Sequence, residues 1–198
     1  MSEVYQIVDR GYYHAINPPE QCRLTPYEIG DRLSKIKRWN GTSHVNVAQH
    51  SVIVANIAER IYYNSEDPLK LVVDLEPLRL LALLHDATEV IIGDIPSPVK
   101  KKCPDLVALE ADFFNAICKV FDIDPKKYPD EATIVTLADE IASQFDVLFL
   151  DPKIYEGYNV TINKDEPIAD ATRYISELSK AHSEYCAWVR LDKGGNDE

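Results

Sequence analysis

The stretch that decides the fold is LLALLHDATE at residues 80–89. It opens with an unbroken apolar run, and the preceding Glu76-Pro77 is typical of a helix start, so it predicts a helix that is buried on most sides. A carboxylate at the end of such a run is costly to bury unless it is paired or bound to a metal. The dipeptide His85-Asp86 therefore marks a functional position inside a helical domain.

The rest of the chain carries the apolar period of helices rather than the alternation of strands. The pattern predicts six helices, which begin at or near Thr25, Asn46, Glu76, Asp105, Asp130 and Pro167. Thr25 and Glu28 are placed to form a capping box, and Asn46 is a residue type that caps well. The third helix is expected to continue to Ile92, since glycine, here Gly93, is the usual residue just past a helix end. We therefore expect an all-α fold, a single helical bundle.

Loops and chain ends bound this bundle. Two prolines predict an extended loop over residues 94–98. Residues 151–163 are expected to form a second loop with a short extended piece, and residues 193–198 a disordered tail. The length of 198 residues suits one hydrophobic core, so we expect a single domain over residues 1–198, with its core between about residues 10 and 190.

Charge restricts the class of partner. The formal net charge is -12, and the densest basic cluster is only Lys100, Lys101 and Lys102. A protein that binds a polymeric nucleic acid normally shows a basic face that neutralises phosphates, so we expect no such partner. A small anionic substrate stays compatible, because one metal or a few local cations outweigh distant surface charge.

Compartment follows from three absences in the pattern. The first residues lack a cationic stretch followed by an apolar core, so no secretory signal is expected. The longest apolar run is too short to cross a bilayer, so no membrane partner is expected. The four cysteines form no CxxC motif, which is typical of a reduced, cytoplasmic protein. The oligomeric state is left open, with a homo-oligomer as one alternative.

Imidazoles and carboxylates on three predicted helices are the side chains that suit chemistry: His50, His85, Asp86 and Asp139. This donor set suits a divalent first-row transition metal, and side chains from different helices can converge in the interior of a bundle. Glu89 lies one helical turn after His85 and projects from the same face, and Asp94 follows in the next loop. Taken singly, His50 is more typical of a satisfied helix histidine than of a ligand, and Asp139 is more typical of a solvated helix face.

The combination resembles a known family, the HD-domain phosphohydrolases, and within them the group related to bacterial 5'-deoxynucleotidases. The resemblance covers about residues 10–145 and is carried by short strings. These are RW (38–39), VAQHSVIVA (47–55), LLHDATE (83–89), GDIPSPVK (93–100) and AD (138–139).

The resemblance implies a fold, a single-domain helical bundle of the HD type, and a site within it. One divalent ion (Mn, Co, Mg, Zn or Fe) is implied, with the metal ligands His50, His85, Asp86 and Asp139. Glu89 and Asp94 are implied as the catalytic residues that orient or deprotonate water. Substrate binding is implied for Arg38, Trp39 and Lys100. From the residues alone, Arg38 is also compatible with a charge at a helix C-terminus, and Trp39 with a core anchor.

The function that the resemblance implies is a phosphohydrolase acting on small-molecule nucleotides. The expected activity is that of a 5'-nucleotidase on deoxynucleoside or nucleoside monophosphates. A dNTP triphosphohydrolase of the same superfamily is one alternative, in which Lys100, Lys101 and Lys102 would serve the outer phosphates. An inactive HD-fold binding or scaffold protein is another. The linker between Trp39 and the His50 helix is shorter than in the deoxynucleotidases, so the substrate is the least constrained element.

Overall fold

The computed structural model describes residues 5–7, 13–15, 23–64, 72–148 and 167–194. Helices make up most of this part of the chain: α1 (Pro26–Leu33), α2 (Val47–Asn64), α3 (Leu75–Leu84), α4 (Glu89–Ile92), α5 (Ser97–Lys100), α6 (Pro104–Val120), α7 (Pro129–Leu148) and α8 (Pro167–Gly194). A 3-10 turn, Pro125–Lys127, connects α6 to α7. The predicted all-α bundle is confirmed. A short antiparallel hairpin, β1 (Tyr5–Ile7) with β2 (Tyr13–Ala15), adds to it and was not predicted.

The helix starts follow from residues close together in sequence. Thr25 Oγ1 accepts a hydrogen bond from Glu28 N at 3.3 Å, and Glu28 Oε2 accepts one from Thr25 N at 2.9 Å. Asn46 Oδ1 accepts from Gln49 N at 2.9 Å, and Gln49 Oε1 accepts from Asn46 N at 3.0 Å. Each exchange satisfies an N–H group that the first helical turn leaves without a partner. The two predicted starts are confirmed.

Helix α3 lies at the centre of the bundle, where it packs against α2, α7 and α8. Its second half is buried on every side: Leu80, Leu81, Ala82, Leu83 and Leu84. Burial of five such side chains is worth on the order of 5–10 kcal/mol before the loss of chain entropy is subtracted. The helical period also predicts inward positions for Leu109 and Leu137, but both are exposed because no described helix covers that side of α6 or α7.

Helix α3 ends at Leu84, which corrects the prediction that it continues to Ile92. The next residues form a tighter turn, in which Ala87 N donates to Leu84 O at 2.9 Å and Glu89 N donates to Asp86 O at 3.0 Å. These are bonds to the carbonyl three residues back, as in a 3-10 helix. The helix resumes as α4 at Glu89, so the His85-Asp86 pair lies at a break between two helices.

The remaining predictions concern loops, the end of the chain and the number of domains. The extended loop covers only residues 93–96, because Ser97 already begins α5. Helix α8 reaches Gly194, so the predicted tail begins too early, and residues 195–198 lie outside the described residues. The loop at 151–163 lies outside them too. The single domain over the whole chain stays a prediction. Among the described residues, no helix combines the length and apolarity that a membrane span requires.

Candidate metal centre

Three of the predicted ligands come together at the heart of the bundle. His50 on α2, His85 just past α3 and Asp139 on α7 offer ligand atoms that all lie within 4.8 Å of one another. His50 Nε2 lies 2.9 Å from Asp139 Oδ1, and His85 Nε2 lies 3.9 Å from the same oxygen. Since these helices are far apart in sequence, only the packing of α2 and α7 on α3 brings the three groups together.

The fourth predicted ligand, Asp86, adjoins this cluster. Its Oδ2 atom lies 3.2 Å from His85 Nε2 and 3.8 Å from His50 Nε2. The same oxygen accepts a hydrogen bond from Arg38 Nη1 at 3.0 Å. Burial alone would favour the neutral acid, but the nearby imidazoles and the Arg38 guanidinium hold the pKa of Asp86 far below its usual range. Asp86 is therefore a half-buried anion that borders the cluster.

The orientation of His85 suits a metal ligand. Its Nδ1 lies 2.8 Å from Ala82 O, and because a carbonyl can only accept, Nδ1 must carry a hydrogen. Its Nε2 is buried and faces the two carboxylates, 3.2 Å from Asp86 Oδ2 and 3.9 Å from Asp139 Oδ1. A backbone carbonyl that fixes one ring nitrogen while the other faces a cation is the usual arrangement around metal-bound histidine. The donor set and this orientation fit a divalent metal ion.

The pKa of His85 also indicates that the centre attracts a cation. Burial works against the imidazolium form, yet the Asp86 carboxylate and then Asp139 raise the pKa of His85 above its usual value. The centre thus attracts a positive charge onto Nε2, and a metal ion would replace that proton.

Ser143 is a site residue that the sequence analysis missed. Arg38 Nη2 donates to Ser143 Oγ at 3.0 Å, and Ser143 Oγ donates to Asp139 Oδ1 at 3.2 Å. The guanidinium therefore reaches both carboxylates of the centre, Asp86 directly and Asp139 through this hydroxyl. The one available signal was its position one helical turn after Asp139, which is too common in helices to identify it.

Glu89 is buried beside the centre, and few hydrogen bonds or cations compensate its carboxyl group for the loss of water. It is 3% exposed, and its Oε2 is buried without a hydrogen bond to the described residues. Burial, followed by repulsion from Asp86 and Asp94, raises the pKa of Glu89 to about 9. In the metal-free protein Glu89 therefore holds a proton at neutral pH.

Lys100, the predicted phosphate contact, lies on α5, and its ammonium group contacts two carboxylates. Its Nζ donates to Glu110 Oε1 at 2.5 Å and lies 4.0 Å from Glu89 Oε1. Thr88 Oγ1 also donates to Glu110 Oε1, at 3.4 Å. Glu110 was not singled out from the sequence, and it offsets the charge that Lys100 could offer to a phosphate.

The loop that carries Trp39 is held in an uncommon backbone conformation. Trp39 and Asn40 have φ angles of 56° and 51°, in the left-handed region that few residues other than glycine adopt. Asp94 Oδ2 accepts a hydrogen bond from Asn40 N at 2.8 Å and so fastens this loop to the segment after α4. Trp39 is 39% exposed, which rules out the core-anchor interpretation. A strained backbone that presents an exposed aromatic ring is typical of a binding site.

A cavity adjoins the centre. Its volume is about 370 Å³, and His85 forms part of its wall. Most of the other lining residues are apolar: Leu81, Val107, Ala111, Phe114, Pro125, Ala132 and Val135. The remaining lining residues are polar: Thr88, Glu110 and Thr136.

Comparison with known proteins finds similarity to 5'-deoxynucleotidases. Residues 27–113 match the family described as 5'-deoxynucleotidase YfbR-like. A 5'-deoxynucleotidase of Pectobacterium atrosepticum is 26% identical over 166 residues, which are 82% of this chain and 77% of that protein. The 5'-deoxynucleotidases of Yersinia pestis and Yersinia pseudotuberculosis are each 28% identical over 82% of this chain and 78% of their own length.

Proposed function

We propose that this chain, whose resemblance to the YfbR-like 5'-deoxynucleotidases of the HD superfamily is confirmed, is a metal-dependent phosphohydrolase that removes the 5'-phosphate from nucleoside or deoxynucleoside monophosphates. One observation carries the proposal. His50, His85 and Asp139 offer ligand atoms within 4.8 Å of one another, on three separate elements of the bundle. Asp86 and Arg38 border this cluster and add an anion and a permanent cation.

The residues that would hold the ion are His50, His85, Asp86 and Asp139. A bound divalent ion supplies a water of lowered pKa and polarises a phosphoryl oxygen. Two imidazoles and two carboxylates accept several first-row ions and also Mg²⁺, so Mn, Co, Mg, Zn and Fe all remain candidates.

Arg38 would bind the phosphate next to these ligands. Its planar guanidinium presents two parallel N–H donors and cannot lose its charge, which matches a pair of phosphate oxygens. It is already placed at the edge of the centre by its bonds to Asp86 and Ser143. A phosphate held there would lie in reach of the metal ligands.

Glu89 and Asp94 would orient the attacking water or accept its proton. Glu89 is buried beside Asp86 and has a displaced pKa, which is typical of a group that exchanges protons in catalysis. A cation at the ligands would favour its ionised form, and the carboxylate could then take the proton of the attacking water. Asp94 is fastened to Asn40, so it would also keep the Trp39 loop closed against the substrate.

The nucleoside would occupy the cavity that His85 borders. Its apolar wall suits a base and sugar, and its volume of about 370 Å³ is within the range of small-molecule sites. Glu110 lies in the cavity wall and would repel a phosphate there, which leaves the phosphate at the Arg38 side. We also propose a cytoplasmic location and a nucleotide as the partner; the oligomeric state stays open, with a homo-oligomer as one alternative.

A panel of nucleotides tests this function directly. The metal-free protein is loaded with Mn²⁺, Co²⁺ or Mg²⁺ and offered mono-, di- and triphosphates, and released products are separated by chromatography. We expect inorganic phosphate and nucleoside from 5'-monophosphates, no comparable turnover of 3'-monophosphates, and loss of activity with EDTA. Tripolyphosphate released from a dNTP, or no phosphate from any monophosphate, would contradict the proposal.

Replacing Arg38 with lysine is expected to lower kcat/KM by about 10- to 100-fold. Lysine keeps the charge but cannot span two acceptors, and a hydrogen bond to a charged group is worth about 1.5–3 kcal/mol. Steady-state kinetics on a monophosphate gives the value. Arg79→Lys is the matched control, because Arg79 pairs with Glu59 and Glu177 away from the centre. Equal losses in the two variants would contradict a role of Arg38 at the phosphate.

A further inference from the structure

We propose that Tyr174, on α8, is a positioning residue of the metal centre, because its buried hydroxyl fixes the end of α3 and with it the placement of His85 and Asp86. The inference rests on the proposed function, since it assigns the purpose of this bond to metal binding. It concerns a residue that lies outside every motif of the site.

The hydroxyl compensates for the break after α3. In a continuing α-helix, the Leu83 carbonyl would accept a hydrogen bond from the N–H of Ala87. Ala87 N instead donates to Leu84 O at 2.9 Å. The Leu83 carbonyl is buried, and Tyr174 Oη–H donates to it at 2.7 Å. The side chain of Tyr174 therefore satisfies the acceptor that the tight turn leaves over.

This compensation acts directly on the ligands. The turn that it permits contains His85 and Asp86, and His85 Nδ1 in addition bonds to Ala82 O at 2.8 Å. The last carbonyls of α3 are thus divided among a ring nitrogen, a phenol and a backbone N–H. Without the phenol, a buried carbonyl would lack a partner, and the chain would gain by drawing Ala87 N back toward Leu83. That rearrangement would turn both ligands away from their present directions.

Tyr174 is held tightly enough to define a position. It is fully buried, and burial raises its pKa far above the usual range, so the hydroxyl stays a donor. Gly30 on α1 allows its ring to approach closely: a Cβ at Gly30 would lie 3.0 Å from Tyr174 Cδ1 and 2.5 Å from Ile175 Cγ1. Close packing of α1 on α8 therefore sets where the hydroxyl lies.

The test compares Tyr174→Phe with Tyr185→Phe. Tyr185 is also a buried tyrosine on α8, but its hydroxyl contacts Tyr128 Oη at 3.2 Å and Asp122 O at 3.4 Å, away from the centre. Metal-free proteins are titrated with Co²⁺ by calorimetry and visible absorption, and kcat and KM are measured on a monophosphate. Substitution of groups that orient metal ligands typically weakens affinity 10- to 100-fold.

We expect Tyr174→Phe to bind Co²⁺ about 10- to 100-fold more weakly and to have an altered absorption spectrum. At saturating metal its kcat should fall by a larger factor than its KM changes. Tyr185→Phe should keep the affinity and spectrum of the unmodified protein at a comparable loss of thermal stability. Unchanged Co²⁺ affinity and spectrum in Tyr174→Phe, or equal changes in both variants, would overturn the inference.

A second variant covers the case in which Tyr174→Phe does not fold. Gly30→Ala keeps the hydroxyl, but its Cβ would clash with Ile175 Cγ1 and crowd Tyr174 Cδ1, so this part of α8 must shift and carry the hydroxyl with it. We expect it to alter the Co²⁺ spectrum in the same sense; an unaltered spectrum there would overturn the inference. The unmodified protein separates this inference from the proposed function. If it binds Co²⁺ but hydrolyses no nucleotide, the proposed function fails, while the comparison of variants still decides the role of Tyr174.

Discussion

Replacing His85 with alanine is expected to abolish metal binding and turnover together. His85 Nε2 is buried and faces both carboxylates, and the substitution leaves His50 as the one imidazole of the described cluster. Since loss of a group that merely orients a ligand costs about 10- to 100-fold in affinity, loss of the ligand itself should exceed 100-fold. Elemental analysis of the protein purified without chelator gives bound metal per chain, and phosphate release gives the activity.

His182→Ala is the matched control for this experiment. His182 is a partly buried histidine that packs against the ring of Phe121, with ring centroids 5.1 Å apart, and it lies outside the centre. It should keep metal and activity. We expect Asp86→Ala to lose metal as His85→Ala does, with an added loss of stability because Arg38 is left buried without its carboxylate. Full activity in the Asp86 variant would contradict its assignment as a ligand.

Replacing Glu89 with glutamine is expected to keep the metal and lower kcat by about 100- to 10,000-fold, the range that a positioned acid or base contributes. Glutamine has nearly the same shape but cannot accept a proton from water. Because Glu89 is not among the ligands, bound metal per chain should stay unchanged. Single-turnover measurement of phosphate release gives the chemical step directly.

The same variant is expected to be more stable than the unmodified protein when metal is absent. The pKa of Glu89 is raised from 4.5 to about 9, so between these values the folded state binds more protons than the unfolded state. Its contribution to stability therefore falls as pH rises through that window. Glutamine removes this loss, so Glu89→Gln should gain roughly 1–3 kcal/mol at pH 7 and nothing near pH 4.

Thermal unfolding with EDTA at the two pH values measures this gain. Glu131→Gln is the control: Glu131 is also 3% exposed, but its Oε1 accepts a hydrogen bond from Asp74 N far from the ligands. It should neither lower turnover nor raise stability. If Glu89→Gln turned over substrate at the normal rate, Glu89 could not be the group that handles the proton.

Interactions between near neighbours in the chain could be predicted from sequence patterns. The capping box of Thr25 and Glu28 and the cap at Asn46 join residues three positions apart, so their spacing alone predicts the bonds. The apolar run before His85 predicted a central helix, because a helix that is apolar on all sides is stable only when it is buried. The same patterns predicted His50, His85, Asp86 and Asp139 as metal ligands, and the structure places these side chains next to one another. That they hold a metal ion stays a prediction.

Interactions between distant parts of the chain could not be predicted from sequence patterns. The pattern extended α3 to Ile92, and it could not predict the break because the Leu83 carbonyl is satisfied by Tyr174, 91 residues away. Ser143 bonds to Arg38 across 105 residues. A periodicity reports which face of a helix is apolar, whereas the partner of a single hydroxyl depends on how whole helices pack. The residue types and the helices that carry them were therefore decided locally, and the convergence of those side chains on one point was decided by packing.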